Sequence, residues 1–445
     1  MPITLNRNKI VAIKANNEFT GLLTKELLMM KYTSLLVLLL AVVFITETTA
    51  QETQWRGPNR DGIYSETGLL KSWPENGPEK LLVIDSIGNG YSSAVFYEGL
   101  IYVSGRKDSF DICSAIDMSG KIVWQETYGG AWPNSFPETR STPTIENGKV
   151  YLVSGVGELV CLNAKTGSII WIEEVDNSFE AEWSRFGVSE SPLIIDDLIY
   201  CTPAGETTTI VAYNKIDGKL VWKSESVGGK RIYASPGTYT YNGKLYIIAQ
   251  TNLHVFAADP KTGEIIWKFL YQHQEKDPKE QSTPFTNTPS VKGNEIFITC
   301  GYNVHAAMLQ LNEDGTQVTE KWTDTIFDNH HHGVVVLGDY IYGSNWQNNR
   351  KGNWVCMKWD TGELMWEEQW GTKGEIIFAD GLCYLYEEKS GNIGLINPNP
   401  EKFELISWFE VTDGTGPYWN HPTIFDGKLF LRHGEALMVY DIKMN

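Results

Sequence analysis

Cysteine is scarce in this chain: six in 445 residues, at positions 113, 161, 201, 300, 356 and 383, with no two adjacent. A disulfide-stapled scaffold is thereby excluded, and each cysteine is expected as a small apolar core residue within a strand. Basic residues are also short, 37 Lys plus Arg against 55 Asp plus Glu, a formal charge of −18 with no basic tract. Such a surface repels phosphate backbones, which excludes nucleic acid as a partner. The N-terminal apolar run, residues 35–45, has 11 residues, whereas a membrane-spanning helix needs about 20. With 42% hydrophobic and 21% charged residues, disorder and coiled coil are excluded too. The abundant residues are 16 Trp, 21 Tyr and 41 Gly, which point to many short strands joined by tight turns.

The N-terminus has the order of a secretory signal. Lys31 follows Met30, the apolar run comes next, and Thr48-Thr49-Ala50 supplies the small residues of a cleavage site. Cleavage is expected after Ala50, with an uncleaved anchor as the alternative reading. No cysteine lies there for lipid attachment. Residues 1–29 add nothing to a signal, so they are expected to be a mis-called extension, with Met29 or Met30 as the true start. Removing residues 1–50 takes away five basic and three acidic residues, leaving 32 − 52 = −20. The expected organisation is a signal peptide at 30–50, a clasp segment at 51–77 and one domain at 78–445, exported to the periplasm or secreted, soluble and without a membrane span after cleavage.

One pattern recurs after residue 90 and decides the fold. Its closing tryptophan stands at Trp124, Trp171, Trp222, Trp267, Trp322, Trp366 and Trp408, at intervals of 47, 51, 45, 55, 44 and 42 residues. Gly120, Gly167, Gly218, Gly263 and Gly362 each precede their tryptophan by four, and Gly315 is a looser case. Each copy reads as four strands, A to D. Strand A follows Ser/Thr-x-Pro and ends in pairs such as Asn147-Gly148, Asn242-Gly243, Asp380-Gly381 and Asp426-Gly427, which suit two-residue hairpins. Strand B carries Tyr102, Tyr151, Tyr200, Tyr246, Tyr342 or Tyr384, and strand D carries the tryptophan, read as a structural packing residue. Eight A–B hairpins can be placed, but the eighth copy stops after strand C. Gly77-Pro78-Glu79-Lys80-Leu81-Leu82-Val83 is expected to supply its missing strand D. The prediction is an all-β, eight-bladed propeller of four-stranded antiparallel blades, closed by an N-terminal strand that completes the last blade. Residues 78–445 number 368, against about 376 for eight blades of roughly 47 residues.

The blade endings at 115–124, 164–171, 212–222, 258–267 and 359–366 resemble those of the PQQ-like (pyrroloquinoline-quinone type) β-propeller family, and Trp55-Arg56-Gly57-Pro58 is similar to the opening of its exported members. The resemblance implies two functional classes: quinone-dependent oxidoreductases acting on alcohols or sugars, with PQQ as cofactor, and a non-catalytic binding or outer-membrane assembly lipoprotein. The adjacent cysteine pair and the calcium-binding Glu, Asn and Asp typical of the family's alcohol dehydrogenases have no counterpart here.

In a propeller the A–B and C–D turns share one face and the B–C and D–A connections the other. The first set is short in this sequence. The second is long and irregular, so a site is expected on that face. Of eight histidines, His273, His305, His330, His331, His332, His421 and His433 fall in or beside those loops, and His254 is placed in a strand. Asp328-Asn329-His330-His331-His332-Gly333 leads into blade 6 and Trp419-Asn420-His421-Pro422 into blade 8, both aimed at the channel mouth. Arg140, Arg185 and Tyr233 occupy corresponding places, and Trp346 and Arg432 come from B–C loops of the same face. These ten residues are expected to line a pocket for a polar, carbohydrate-like or alcohol ligand, with His331, His332 and His421 as catalytic candidates. Each has a second reading. The triplet reads as a solvated turn, as an acid/base or binding set, or as part of a metal site for lyase or hydrolase chemistry, in which His330, His332 and His421 must converge. The arginines read as loop clamps or anion receptors, and Trp346 and Trp419 as loop packing or sugar platforms. Glu182, Glu190, Asp324, Asp328 and Glu375 read as solvated acids.

Overall fold

The computed structural model describes residues 53–183, 185–271 and 286–444. The expected leader and extension, residues 1–50, and His273 lie outside the described residues. Eight sheets form in chain order, and the first six are blades of four consecutive antiparallel strands. In blade 8, Thr423–Phe425, Lys428–His433 and Ala436–Asp441 are completed by Glu79–Ile84, which pairs antiparallel with Ala436–Asp441. Strand D of the last blade therefore comes from the N-terminal side, as the repeat count requires. The hairpin pairs behave as the sequence implies. Asn147, Asn242, Asp380 and Asp426 have φ of 49°, 49°, 48° and 52°, and each is followed by a glycine at positive φ, the conformation of a type I′ turn.

The repeated Tyr, Trp and Gly act together between blades. Trp124 Nε1 and Tyr102 Oη both donate to the Ala164 carbonyl of the next blade, at 2.9 and 3.1 Å. Trp171 and Tyr151 do the same to Lys215 O, and Trp222 and Tyr200 to Pro260 O. The glycine of the next blade makes room for the indole: a Cβ on Gly167 would lie 2.6 Å from the Trp124 ring, and one on Gly263 2.5 Å from Trp222. The pattern thus encodes a hydrogen-bonded, close-packed joint. Trp408 departs from the expected role and is 52% exposed. The place against Tyr384 is taken by Trp73 from the N-terminal segment, at 5.7 Å between ring centroids, with Nε1 on Ile393 O at 3.0 Å. All six cysteines are free and buried, as expected of core residues.

The clasp does more than the sequence suggests. Ile63–Tyr64 adds a fifth, parallel strand to Gly374–Ala379 at the inner edge of blade 7. Arg60 donates to Ser191 O and Pro236 O at 3.1 and 3.0 Å and also to Pro192 O, and Arg56 donates to Val334 O at 2.8 Å. Two buried arginines therefore tie the clasp to the strand starts of blades 3, 4 and 6. Among the described residues no helix is long and apolar enough to cross a membrane.

Candidate functional site

The loops that enter strand A converge on a cavity of about 750 Å³. Blade 6 contributes the residues just before Val334–Leu337, blade 7 those around Gly374–Ala379 and blade 8 those just before Thr423–Phe425. Of the expected residues, Arg140, Arg185, Tyr233, His330, His331, Trp419 and His421 line the cavity. The blade 6 and blade 8 loops meet there, with the His331 and Trp419 rings 5.2 Å apart. The other three expected residues are placed elsewhere. His332 is fully buried behind the wall. Trp346 packs behind Tyr302 at 5.2 Å. Arg432 does not reach the cavity: its guanidinium, fully buried, donates to Ser92 Oγ at 2.7 Å and to Gly88 O and Gly434 O at 2.9 Å. A long side chain that starts beside the face has turned inward to join blade 8 to blade 1. His433 ends a strand instead of lying in a loop, with its two ring nitrogens 2.7 Å from Asp413 O and Gly416 O.

Other lining residues escaped the sequence reading. Trp55 reaches in from the clasp and meets the His421 ring edge-on at 5.3 Å. Tyr91, Phe136, Phe186 and Tyr302 complete an aromatic wall, while Lys373 and Glu388 flank two strands of blade 7. Glu388 sits in a B–C turn on the expected face, so the face rule alone marked it. Nothing local marked Trp55. Arg140 holds the wall in place, donating to Phe186 O at 2.6 Å and to Phe136 O. Phe186 N in turn donates to Tyr233 Oη. Arg185 is exposed, lies over the Phe186 ring at 5.4 Å, and has no acidic partner among the described residues.

Two buried glutamates organise the histidines. Lys373 Nζ lies 2.6 Å from Glu388 Oε1, while His332 Nε2 and Trp419 Nε1 lie 3.0 and 3.1 Å from Oε2. Burial alone would raise the Glu388 carboxyl, but His332, His331 and Lys373 hold it down at about 2. Glu375 is the opposite case. It is fully buried, with His421 Nδ1 2.6 Å from one oxygen and His331 Nδ1 3.6 Å from the other. Neither contact has hydrogen-bond alignment, and both oxygens lack a hydrogen-bond partner. Burial pushes this carboxyl well above its ordinary value, against the charge of Arg56. Burial likewise pushes His330, His331 and His421 well below theirs, so they are neutral near pH 7.

The expectation of solvated acids is corrected for three residues. Glu375, Glu190 and Asp328 are all buried. Glu190 pairs with Arg231 at 2.9 Å and accepts from Thr202 N at 3.1 Å, and Asp328 accepts from Asn303 N at 3.1 Å and Trp346 N at 3.3 Å. Strand starts near the axis are enclosed by neighbouring blades, and acids there must find donors. Asp324, half-buried, accepts from Ile326 N, and Glu182 pairs with Lys230 at the surface. The histidine set is also corrected. The three ring groups whose nitrogens gather are His330, His331 and His332, without His421.

The calcium and quinone implied by the resemblance do not fit these residues. Glu388 is the one carboxylate that lines the cavity, and both its oxygens are already engaged by Lys373, His332 and Trp419. None of the cysteines lines it. What the arrangement offers is neutral imidazoles, an exposed guanidinium and flat aromatic faces.

Comparison with known proteins places this geometry. The profile of the family described as outer membrane protein assembly factor BamB matches residues 109–368. A quinoprotein ethanol dehydrogenase of Pseudomonas aeruginosa is 27% identical over 154 residues, 31% of this chain and 24% of that protein. The outer membrane protein assembly factor BamB of Moranella endobia is 20% identical over 351 residues, 75% of this chain and 85% of that protein. The crystal structure of BamB from Moraxella catarrhalis superposes with a TM-score of 0.58 at 16% identity, covering 82% of this chain and 99% of that one. The chain spans only about a quarter to a third of the length of the dehydrogenases it matches.

Proposed function

The chain belongs to the PQQ-like propeller family whose description reads outer membrane protein assembly factor BamB, and from that premise we propose that it is an exported binding propeller whose loop-rich face takes an anionic, ring-bearing small molecule such as an acidic sugar. One observation carries the reading. In a chain of net charge −18, the guanidinium of Arg185, without an acidic partner among the described residues, stands at an aromatic-walled cavity of about 750 Å³. Aromatic faces suit the apolar faces of sugar rings, and an arginine fork suits a carboxylate. His331 and His421, neutral and lining the cavity, serve as hydrogen-bonding groups for hydroxyls.

The test is calorimetric titration with uronate oligosaccharides and their neutral counterparts. The acidic series is expected to bind and the neutral one to bind weakly. Arg185→Ala should weaken the acidic series about 10- to 100-fold, the value of a hydrogen bond to a charged group. Equal binding of both series, or an unchanged affinity in the variant, overturns the reading. The match to quinoprotein dehydrogenases favours a second reading, oxidation of an alcohol or sugar with a bound quinone. Incubation with the quinone and calcium, followed by an artificial electron acceptor, gives turnover on that reading and none on ours.

A further inference from the structure

The anion reading uses His331 but leaves the gathering of three consecutive histidine rings unexplained. His330, His331 and His332 are consecutive, yet their rings gather instead of alternating: centroids are 4.3 Å apart for the first pair and 4.1 Å for the second. The backbone enforces this. Asn287 Nδ2 donates to Asn329 O at 2.9 Å and its Oδ1 accepts from Gly333 N at 3.0 Å. Asn329 Nδ2 donates to Ser344 O at 2.7 Å. Both ends of the tripeptide are therefore pinned to neighbouring strands. One coordinating nitrogen of each ring lies within 4.8 Å of the others. Three buried ring nitrogens, Nδ1 of His330, Nε2 of His331 and Nδ1 of His332, have no hydrogen-bond partner.

Three crowded imidazoles with idle nitrogens are unfavourable by themselves, since each buried polar atom has given up water without gaining a partner. A single cation accepts all three lone pairs. His332 already has the partner that a metal ligand needs on its far side. Its Nε2 lies 3.0 Å from Glu388 Oε2, which fixes the tautomer and leaves Nδ1 free to coordinate. Glu388 is itself anchored by Lys373 at 2.6 Å. A donor set made only of imidazole nitrogens suits zinc, copper or nickel and not calcium or magnesium, which take oxygen. Around zinc, with bonds of about 2.0–2.1 Å, tetrahedral ligand nitrogens stand about 3.4 Å apart, so the triplet must close by up to about 1.4 Å from its present spread of at most 4.8 Å.

We propose that His330, His331 and His332 form a three-imidazole site for a divalent transition metal ion, zinc before others, with Glu388 positioning His332 and the remaining coordination position open to the cavity beside His331. This site stands independently of the acidic-ligand reading, because metal is titrated with no sugar present, so either can fail alone. The test uses the full chain without an affinity tag, stripped with a chelator and titrated with zinc chloride by calorimetry and with cobalt(II) by visible absorption. The expected result is one ion per chain, with cobalt d–d bands of a four- or five-coordinate site. Binding should fall at least 100-fold in His331→Ala and His332→Ala and about 10- to 100-fold in Glu388→Gln. His254→Ala should leave it unchanged, and an excess of calcium should not compete. Circular dichroism checks that each variant folds. If the triplet variants do not fold, X-ray absorption at the zinc edge of the wild-type chain decides: a shell with three imidazole nitrogens supports the site, and a sulfur or all-oxygen shell overturns it. Unchanged zinc binding in His331→Ala, or equal competition by calcium, also overturns it.

Discussion

Two buried clusters of charge lie under the loop-rich face, and they differ in what they leave unused. In the first, Arg231 pairs with Glu190 at 2.9 Å and with Asp176, Trp183 Nε1 holds the second Asp176 oxygen at 2.5 Å, and Thr202 N binds Glu190 at 3.1 Å. The second, around Glu388 and Glu375, is equally buried, yet both Glu375 oxygens and several histidine nitrogens have no hydrogen-bond partner. Burial is the same in both; the pairing of the carboxylates is not, since both oxygens of Asp176 and of Glu190 are engaged. Paired carboxylates hold loops together, whereas idle carboxylate and imidazole atoms beside a cavity reserve capacity for a ligand.

The contrast breaks first on stability. Arg231→Ala leaves two carboxylates buried without their cation and should cost about 3–5 kcal/mol in a urea melt; a loss under about 1 kcal/mol would put the first cluster in the same class as the second. The next effect is the pH dependence of those melts. Burial, opposed by Arg231, raises Asp176 to about 6 and Glu190 to about 7 in the folded chain, from 3.8 and 4.5. Their contribution is therefore full below about pH 4 and lost as pH rises through 6 to 7. Glu388, despite a burial effect in the other direction, is held at about 2, so its contribution is full above about 4.5 and lost as pH falls towards 2. Glu190→Gln should flatten the upper limb and Glu388→Gln the lower one; limbs that move together contradict the separation. The smallest effect is expected from Glu375→Gln. It removes a desolvated carboxyl with no hydrogen bond to lose, and stability should stay within about 1 kcal/mol of the wild type. A loss as large as that of Arg231→Ala would show that Glu375 is architectural.

The blades were legible because their joints are encoded within one repeat: Gly167 sits where the Trp124 indole must fit, and Tyr102 and Trp124 share one carbonyl. Closure by Glu79–Ile84 followed from a missing strand. Seven site residues were legible for a similar reason, since each stands in a loop that leads into strand A. Trp55 and Trp73 were not, because a clasp that passes through and around the ring makes contacts hundreds of residues away, with no local periodicity to announce them. Glu375 was misread because an acidic chain makes every acid look solvated, and burial depends on which strand starts the ring encloses. Arg432 began beside the expected face, but five donors on a long stem reached the blade junction instead.

The central claim is that binding resides at the cavity beside the idle carboxylate and imidazoles and not at the cluster whose carboxylates are all paired. Parallel calorimetric titrations of a uronate oligosaccharide into wild type, Arg185→Ala and Arg231→Met, at a temperature where all three are folded, test it most directly. The account predicts affinity weakened tenfold or more in Arg185→Ala and retained in Arg231→Met. Equal affinity in all three, or a loss confined to Arg231→Met, would contradict it.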